Sequence, residues 1–95
     1  MPRRVAPLKR SGHTLQTAAA VFLDRPDLSP ASRWSYAQTL QRLTHAIGDD
    51  RSLETLDGAE VETAVQSAWG HCAPATWNRH VATVRSFIAF CRRHG

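Results

Sequence analysis

The stretch from Ser29 to Gly48 constrains this chain more than any other. Ser29-Pro30 is a helix start: a serine oxygen can accept from a first-turn amide, and proline at the first helical position presets φ while sacrificing no bond. Tyr36, Leu40, Leu43 and Ile47 then recur at spacings of 4, 3 and 4, which lines one face of a helix. Gly48 is placed to end it in a left-handed conformation. A helix with one apolar face is marginal alone in water, so the rest of the chain must supply surfaces to cover that face.

Those surfaces are helical too. Thr14 can cap a segment whose Leu15, Ala18, Ala19, Phe22 and Leu23 share a stripe, and Asp24-Arg25-Pro26 stops it because the residue before proline is pushed out of helical geometry. Leu53–Leu56 reads as a short linker with its leucines tucked under the fold. Asp57-Gly58-Ala59-Glu60 has the form of a capping box, with the acid three residues after the cap. Val61, Ala64, Val65, Ala68 and Trp69 give a third apolar face, ended by Gly70. Pro74 opens a fourth helix with a predicted buried stripe of Trp77, Val81, Val84, Ile88 and Cys91, Phe87 beside them. No run alternates with period 2 over a strand-like length. The expectation is an all-α chain: four helices joined by short loops in a compact orthogonal or antiparallel bundle, residues 14–95, behind an arm at 1–13.

Charge is distributed unevenly. The sequence has 95 residues with Lys+Arg 12 against Asp+Glu 8, a formal net charge of +4. Arg3, Arg4, Lys9 and Arg10 account for the whole excess, in a Pro- and Gly-containing stretch without hydrophobic periodicity that reads as a flexible basic arm. Residues 49–62 hold Asp49, Asp50, Glu54, Asp57, Glu60 and Glu62 against Arg51 alone. Residues 71–95 hold Arg79, Arg85, Arg92 and Arg93, three histidines and no acid. A neutral bundle polarised in this way can turn a basic face to an anionic partner.

Several chemistries lack their residues. The apolar part of Thr14–Leu23 is too short for a signal peptide and has no cleavage pattern, Arg3-Arg4 lacks the apolar core of a twin-arginine signal, and nothing approaches a membrane span. Two cysteines are too few for a disulfide framework, so a reduced, cytoplasmic setting is expected. There is no G-x-S-x-G nucleophile elbow and no phosphate-binding glycine loop. His71-Cys72 and Cys91-Arg92-Arg93-His94 are weak metal candidates: adjacent side chains converge poorly on one tetrahedral ion, and Cys91 fits an apolar stripe. No metal or cofactor is expected.

What remains is contact with nucleic acid. Two helix starts carry clustered hydroxyl, amide and basic side chains: Ser29-Pro30-Ala31-Ser32-Arg33-Trp34-Ser35 and Pro74-Ala75-Thr76-Trp77-Asn78-Arg79-His80. Helix N-termini present unpaired amides to anions, and arginine can grip either a phosphate or a base edge. Against this stands a blander reading in which Ser29 only caps, Thr76 sits on a helix surface, Arg79 is solvated, and the chain is a helical protein–protein interaction module whose acidic 49–62 segment meets a basic partner. Trp34 fits either exposure or packing.

The same stretches resemble the core-binding, SAM-like N-terminal domain of the tyrosine recombinase (phage integrase) family. The match runs through Leu28-Ser29, Ser32, Tyr36 and Leu40, through Leu56-Asp57, and through Pro74, Thr76-Trp77-Asn78-Arg79 and Val84-Arg85-Ser86-Phe87. It covers about residues 14–95, and its order and spacing are more specific than any one motif. The family commonly has Thr where Ser32 stands and often Ser where Ala73 stands, so the fourth helix starts here without a side-chain cap, a loss of about 1 kcal/mol.

The resemblance implies a four-helix SAM-like domain that clamps double-stranded DNA, its second and fourth helices facing the major groove and neighbouring backbone. Carried over by position, Ser32, Arg33 and Ser35 would contact DNA from the second helix, and Thr76, Asn78, Arg79 and His80 from the fourth, with Arg3, Arg4, Lys9 and Arg10 adding an arm. Tyr36 begins the core stripe and reads as packing. The family's catalytic domain carries an Arg, a His-x-x-Arg segment and a tyrosine nucleophile; with Tyr36 as its one tyrosine, this chain is expected to be non-catalytic. The implied partners are duplex DNA, the catalytic domain of a bacterial or mobile-element recombinase, and other protomers on the DNA.

Overall fold

A computed structural model describes residues 13–94. Among them are four α-helices, α1 (Leu15–Leu23), α2 (Pro30–Ile47), α3 (Gly58–Trp69) and α4 (Pro74–His94), with a 3-10 turn at Leu53–Thr55. Predicted caps mark where the first three begin. Thr14 accepts from the Thr17 amide while Thr17 Oγ1 accepts from the Thr14 amide at 2.9 Å. Ser29 accepts from Ser32 at 3.1 Å. Asp57 accepts from Glu60 at 2.9 Å, and Glu60 answers the Asp57 amide at 3.4 Å. Gly48 ends α2 at φ +129° and ψ 119°, a positive φ that L side chains rarely adopt but outside the left-handed helical well expected of it.

The first turn of α1 is also held from outside. Leu15 N–H donates to the Arg51 carbonyl at 2.9 Å and Gln16 N–H to that of Asp49 at 3.2 Å, while Leu53 N–H donates to His13 at 3.1 Å. Residue 13 was expected to belong to the arm; its carbonyl is instead engaged in the fold. The loop that follows α2 thus closes over the start of α1, and the amides left over at that helix end are satisfied by loop carbonyls. Leu53 and Leu56, half-buried, pack against the core as the linker reading anticipated. Arg3, Arg4, Lys9 and Arg10 lie outside the described residues.

The core centres on Phe22, fully buried at the end of α1. Its ring sits 5.9 Å from Tyr36 of α2 and 5.6 and 5.3 Å from Phe87 and Phe90 of α4, the latter two edge-on. The Arg25 guanidinium covers it from the following loop at 4.5 Å. Leu15, Leu40 and Leu43 are also fully buried, and Ala64, Val65, Ala68 and Trp69 complete the core from α3.

The fourth helix departs from its predicted stripe. Thr83, Val84, Phe87 and Phe90 are its buried residues, whereas Trp77, Val81, Ile88 and Cys91 are only half-buried. The reason is the Phe22 ring, which takes Phe87 and Phe90 and so rotates α4 about its axis. Trp77, Val81 and Ile88 are left lining an open groove of about 610 Å³ against Val61 and Val65. Replacing Phe22 with alanine removes the group that ties α1 to α2 and α4. Phe22→Ala is expected to cost about 3–5 kcal/mol in equilibrium urea unfolding.

Candidate nucleic-acid interface

Both candidate segments are the first two turns of helices, and the fold lays them against each other. The Arg79 guanidinium donates to Ser35 Oγ at 3.2 Å, joining residues 44 apart in sequence. One residue on, His80 Nδ1 lies 2.8 Å from Thr39 Oγ1. Adjacent residues of α4 therefore grip a single turn of α2. Thr39 is buried, and its hydroxyl also reaches the Ser35 carbonyl at 3.4 Å, so this polar seam needs no water to satisfy it.

His80 is better explained by its packing than by solvation. Its ring stacks on Trp69 at 4.5 Å with an interplanar angle of 11°. Burial, followed by the charges of Arg79 and Arg42, holds its pKa below the usual histidine value. The side chain expected to reach outward to DNA thus faces Thr39 and Trp69, bridging three helices.

Arg33 is likewise turned to the fold. Its Nε donates to the Leu23 carbonyl at 2.7 Å, and Nη2 donates to Arg25 at 2.9 Å and Leu28 at 3.3 Å. A cation at the last carbonyls of a helix is favoured by the dipole, and here one side chain also organises the 24–28 loop. The sequence placed Arg33 beside Ser32 correctly but could not show which way the guanidinium points.

The other candidates lie on or beside the surface. Asn78 and Arg79 are exposed; Ser32, Ser35 and Thr76 are half-exposed. Pro74 stands at the first position of α4 after Ala73, which has no side-chain acceptor to offer the second- and third-position amides. Trp34 stands 68% exposed on α2. Tyr36 packs against Phe22, as read from its stripe.

Arg42 belongs to this surface and escaped the sequence reading. It is exposed, and its Nη2 donates to the Ala68 carbonyl at the end of α3 at 3.2 Å. The available signal was its position seven residues, or two turns, after Ser35, which puts both on one face of α2. The acids gather elsewhere: Glu60, on the first turn of α3, pairs with Arg51, which holds its carboxyl below the usual range through the hydrogen bond. Cys91 is no reactive thiol, burial pushing its pKa up to about 11. No set of three or more His, Cys, Asp or Glu side chains among the described residues could hold a metal ion, and no described helix is long and apolar enough to cross a membrane.

The geometry of Arg33 predicts that it supports the fold. Arg33→Ala leaves three carbonyls without their charged donor and is expected to lower stability by about 1–3 kcal/mol in urea unfolding. Arg79→Ala, by contrast, removes an exposed side chain and should leave the unfolding midpoint nearly unchanged.

Comparison with known proteins agrees with this architecture. Neither the curated proteins nor the solved structures include a match to the chain. A family model described as phage integrase, N-terminal SAM-like domain, matches residues 21–95, from the last turn of α1 through α4. With four helices in that order and most of its length matched, the chain belongs to the family of phage integrase N-terminal SAM-like domains.

Proposed function

We propose that this domain binds duplex DNA across the seam between the N-terminal halves of α2 and α4, positioning it for the strand-exchange chemistry of a site-specific recombinase. The observation that carries this reading is the Arg79–Ser35 contact, which makes one surface of two polar clusters far apart in sequence. Arg79 and Arg42 supply the positive charge, Asn78, Thr76, Ser32 and Ser35 the short-range hydrogen bonds, and the first-turn amides of α4 a further phosphate contact. Arg33 and His80 act behind this surface, holding the helices that present it. The Arg- and Lys-bearing arm adds non-specific affinity through the phosphate backbone.

A further feature supports DNA over a protein partner. The acidic stretch is folded in part onto Arg51 through Glu60. The catalytic steps are assigned to another part of the recombinase, since Tyr36, the one tyrosine of these 95 residues, packs beside Phe22. That catalytic domain and neighbouring protomers on the DNA are the proposed protein partners, in the cytoplasm.

Titration of the chain against duplex DNA at several salt concentrations tests the proposal. Affinity is expected to fall with salt at a log–log slope of about −0.9 per phosphate neutralised, and absence of binding at low salt would refute it. Arg79→Ala is expected to weaken binding by about 1–3 kcal/mol. Deleting residues 1–10 should flatten the salt slope while the helical circular dichroism signal persists; an unchanged slope would assign all the affinity to the bundle.

A further inference from the structure

His80 occupies an unusual position for a residue of a DNA-binding surface. Its ring is stacked on Trp69 of α3, bonded through Nδ1 to Thr39 of α2, and next in sequence to Arg79. The charges that act on it are both cationic, Arg79 from its own helix and Arg42 from α2; α3 meets it with the uncharged indole of Trp69. In the free protein burial, and after it these two cations, favour the neutral imidazole. A phosphodiester bound at Arg79 and Arg42 would weaken the electrostatic part of this effect, because its negative charge offsets the two cations that repel a proton from the ring.

The hydrogen-bond geometry accommodates the charged ring without rearrangement. In the imidazolium, Nδ1–H donates to Thr39 Oγ1, and the Thr39 hydroxyl donates to the Ser35 carbonyl 3.4 Å away. The backbone carbonyl that ends this relay belongs to the residue whose Oγ receives Arg79. Protonation therefore strengthens the link between α4 and the turn of α2 that orients the arginine.

We propose that duplex DNA binding at this seam is coupled to uptake of one proton by His80, which through Thr39 acts as a positioning residue for Arg79. The inference rests on the DNA-binding reading given above. The proton comes from the buffer and adds to the unprotonated ring nitrogen; no covalent step is involved. The sign follows from linkage: the bound state holds more protons than the free state, so affinity rises as pH falls through the histidine range.

The test is the pH profile of affinity for a DNA duplex at fixed low salt, read by fluorescence anisotropy of labelled DNA. For the unaltered chain, affinity is expected to fall about three- to tenfold between about pH 5.5 and 8. His80→Gln, which keeps a group able to bond Thr39, should flatten that profile, whereas His71→Gln, at an exposed site, should retain it. Thr39→Val removes the acceptor of Nδ1–H and should move the dependence to lower pH. A second readout needs no variant: the NMR titration midpoint of the His80 ring protons should rise when the duplex is added.

Tight binding with a flat profile, or a His80 midpoint that the duplex leaves unchanged, would overturn the coupling and leave the DNA-binding reading standing. A pH dependence that survives in His80→Gln would overturn it equally. Failure to bind at every pH at low salt would overturn both.

Discussion

The ring of Phe22 is the constraint on which the rest of this domain depends. It stands at the end of the shortest α-helix and is fully excluded from water, which a residue so near a helix terminus achieves only if other elements close around it. Tyr36, Phe87 and Phe90 do so, and Arg25 closes the remaining side with its guanidinium over the ring. Edge-on aromatic pairs of this kind add about 0.5–1.5 kcal/mol each beyond the area they bury. Because the two phenylalanines come from α4 and the tyrosine from α2, the cluster also sets how α4 is rotated against α2. That rotation brings Arg79 and His80 to Ser35 and Thr39.

The seam so formed is polar at the surface and polar where it is buried. Burying a hydroxyl without a partner costs as much as a lost hydrogen bond, yet Thr39, Thr44 and Thr83 are all buried. Each is satisfied by a backbone carbonyl of the preceding turn, at Ser35, Gln41 and Arg79. The arrangement lets helices approach closely on small side chains while their backbones absorb the polar groups. Arg42, donating to Ala68, ties the end of α3 to the same region. The cations of the surface are thus held by short contacts from beneath, while the principal acid–base pair, Glu60 with Arg51, works at the start of α3 and braces the loop that closes over α1.

Much of this was legible because it is local. Ser29 with Pro30, the Asp57 and Glu60 pair, and Leu40 with Leu43 act within a few residues of one another, so spacing alone reports them. The two polar helix starts were legible for the same reason, and a family resemblance placed them together. What escaped depended on side-chain direction. Arg33 reads as a candidate contact until its guanidinium is seen on three carbonyls; His80 reads the same way until Trp69 lies flat against it. Phe90 was missed because the periodicity through Trp77, Val81 and Ile88 is as regular as the true core face, and only the Phe22 ring decides between them.

The sequence by itself determined that this chain is helical, where its helices start, and which two segments carry hydrogen-bonding and basic groups. Caps, proline positions and apolar spacing act over a turn or two, and the chain cannot avoid expressing them. The tertiary structure alone decided which of those groups share a surface and which are spent on holding it. That choice depends on how α4 is rotated about its axis, and the rotation is set by an aromatic cluster whose members come from three helices far apart along the chain.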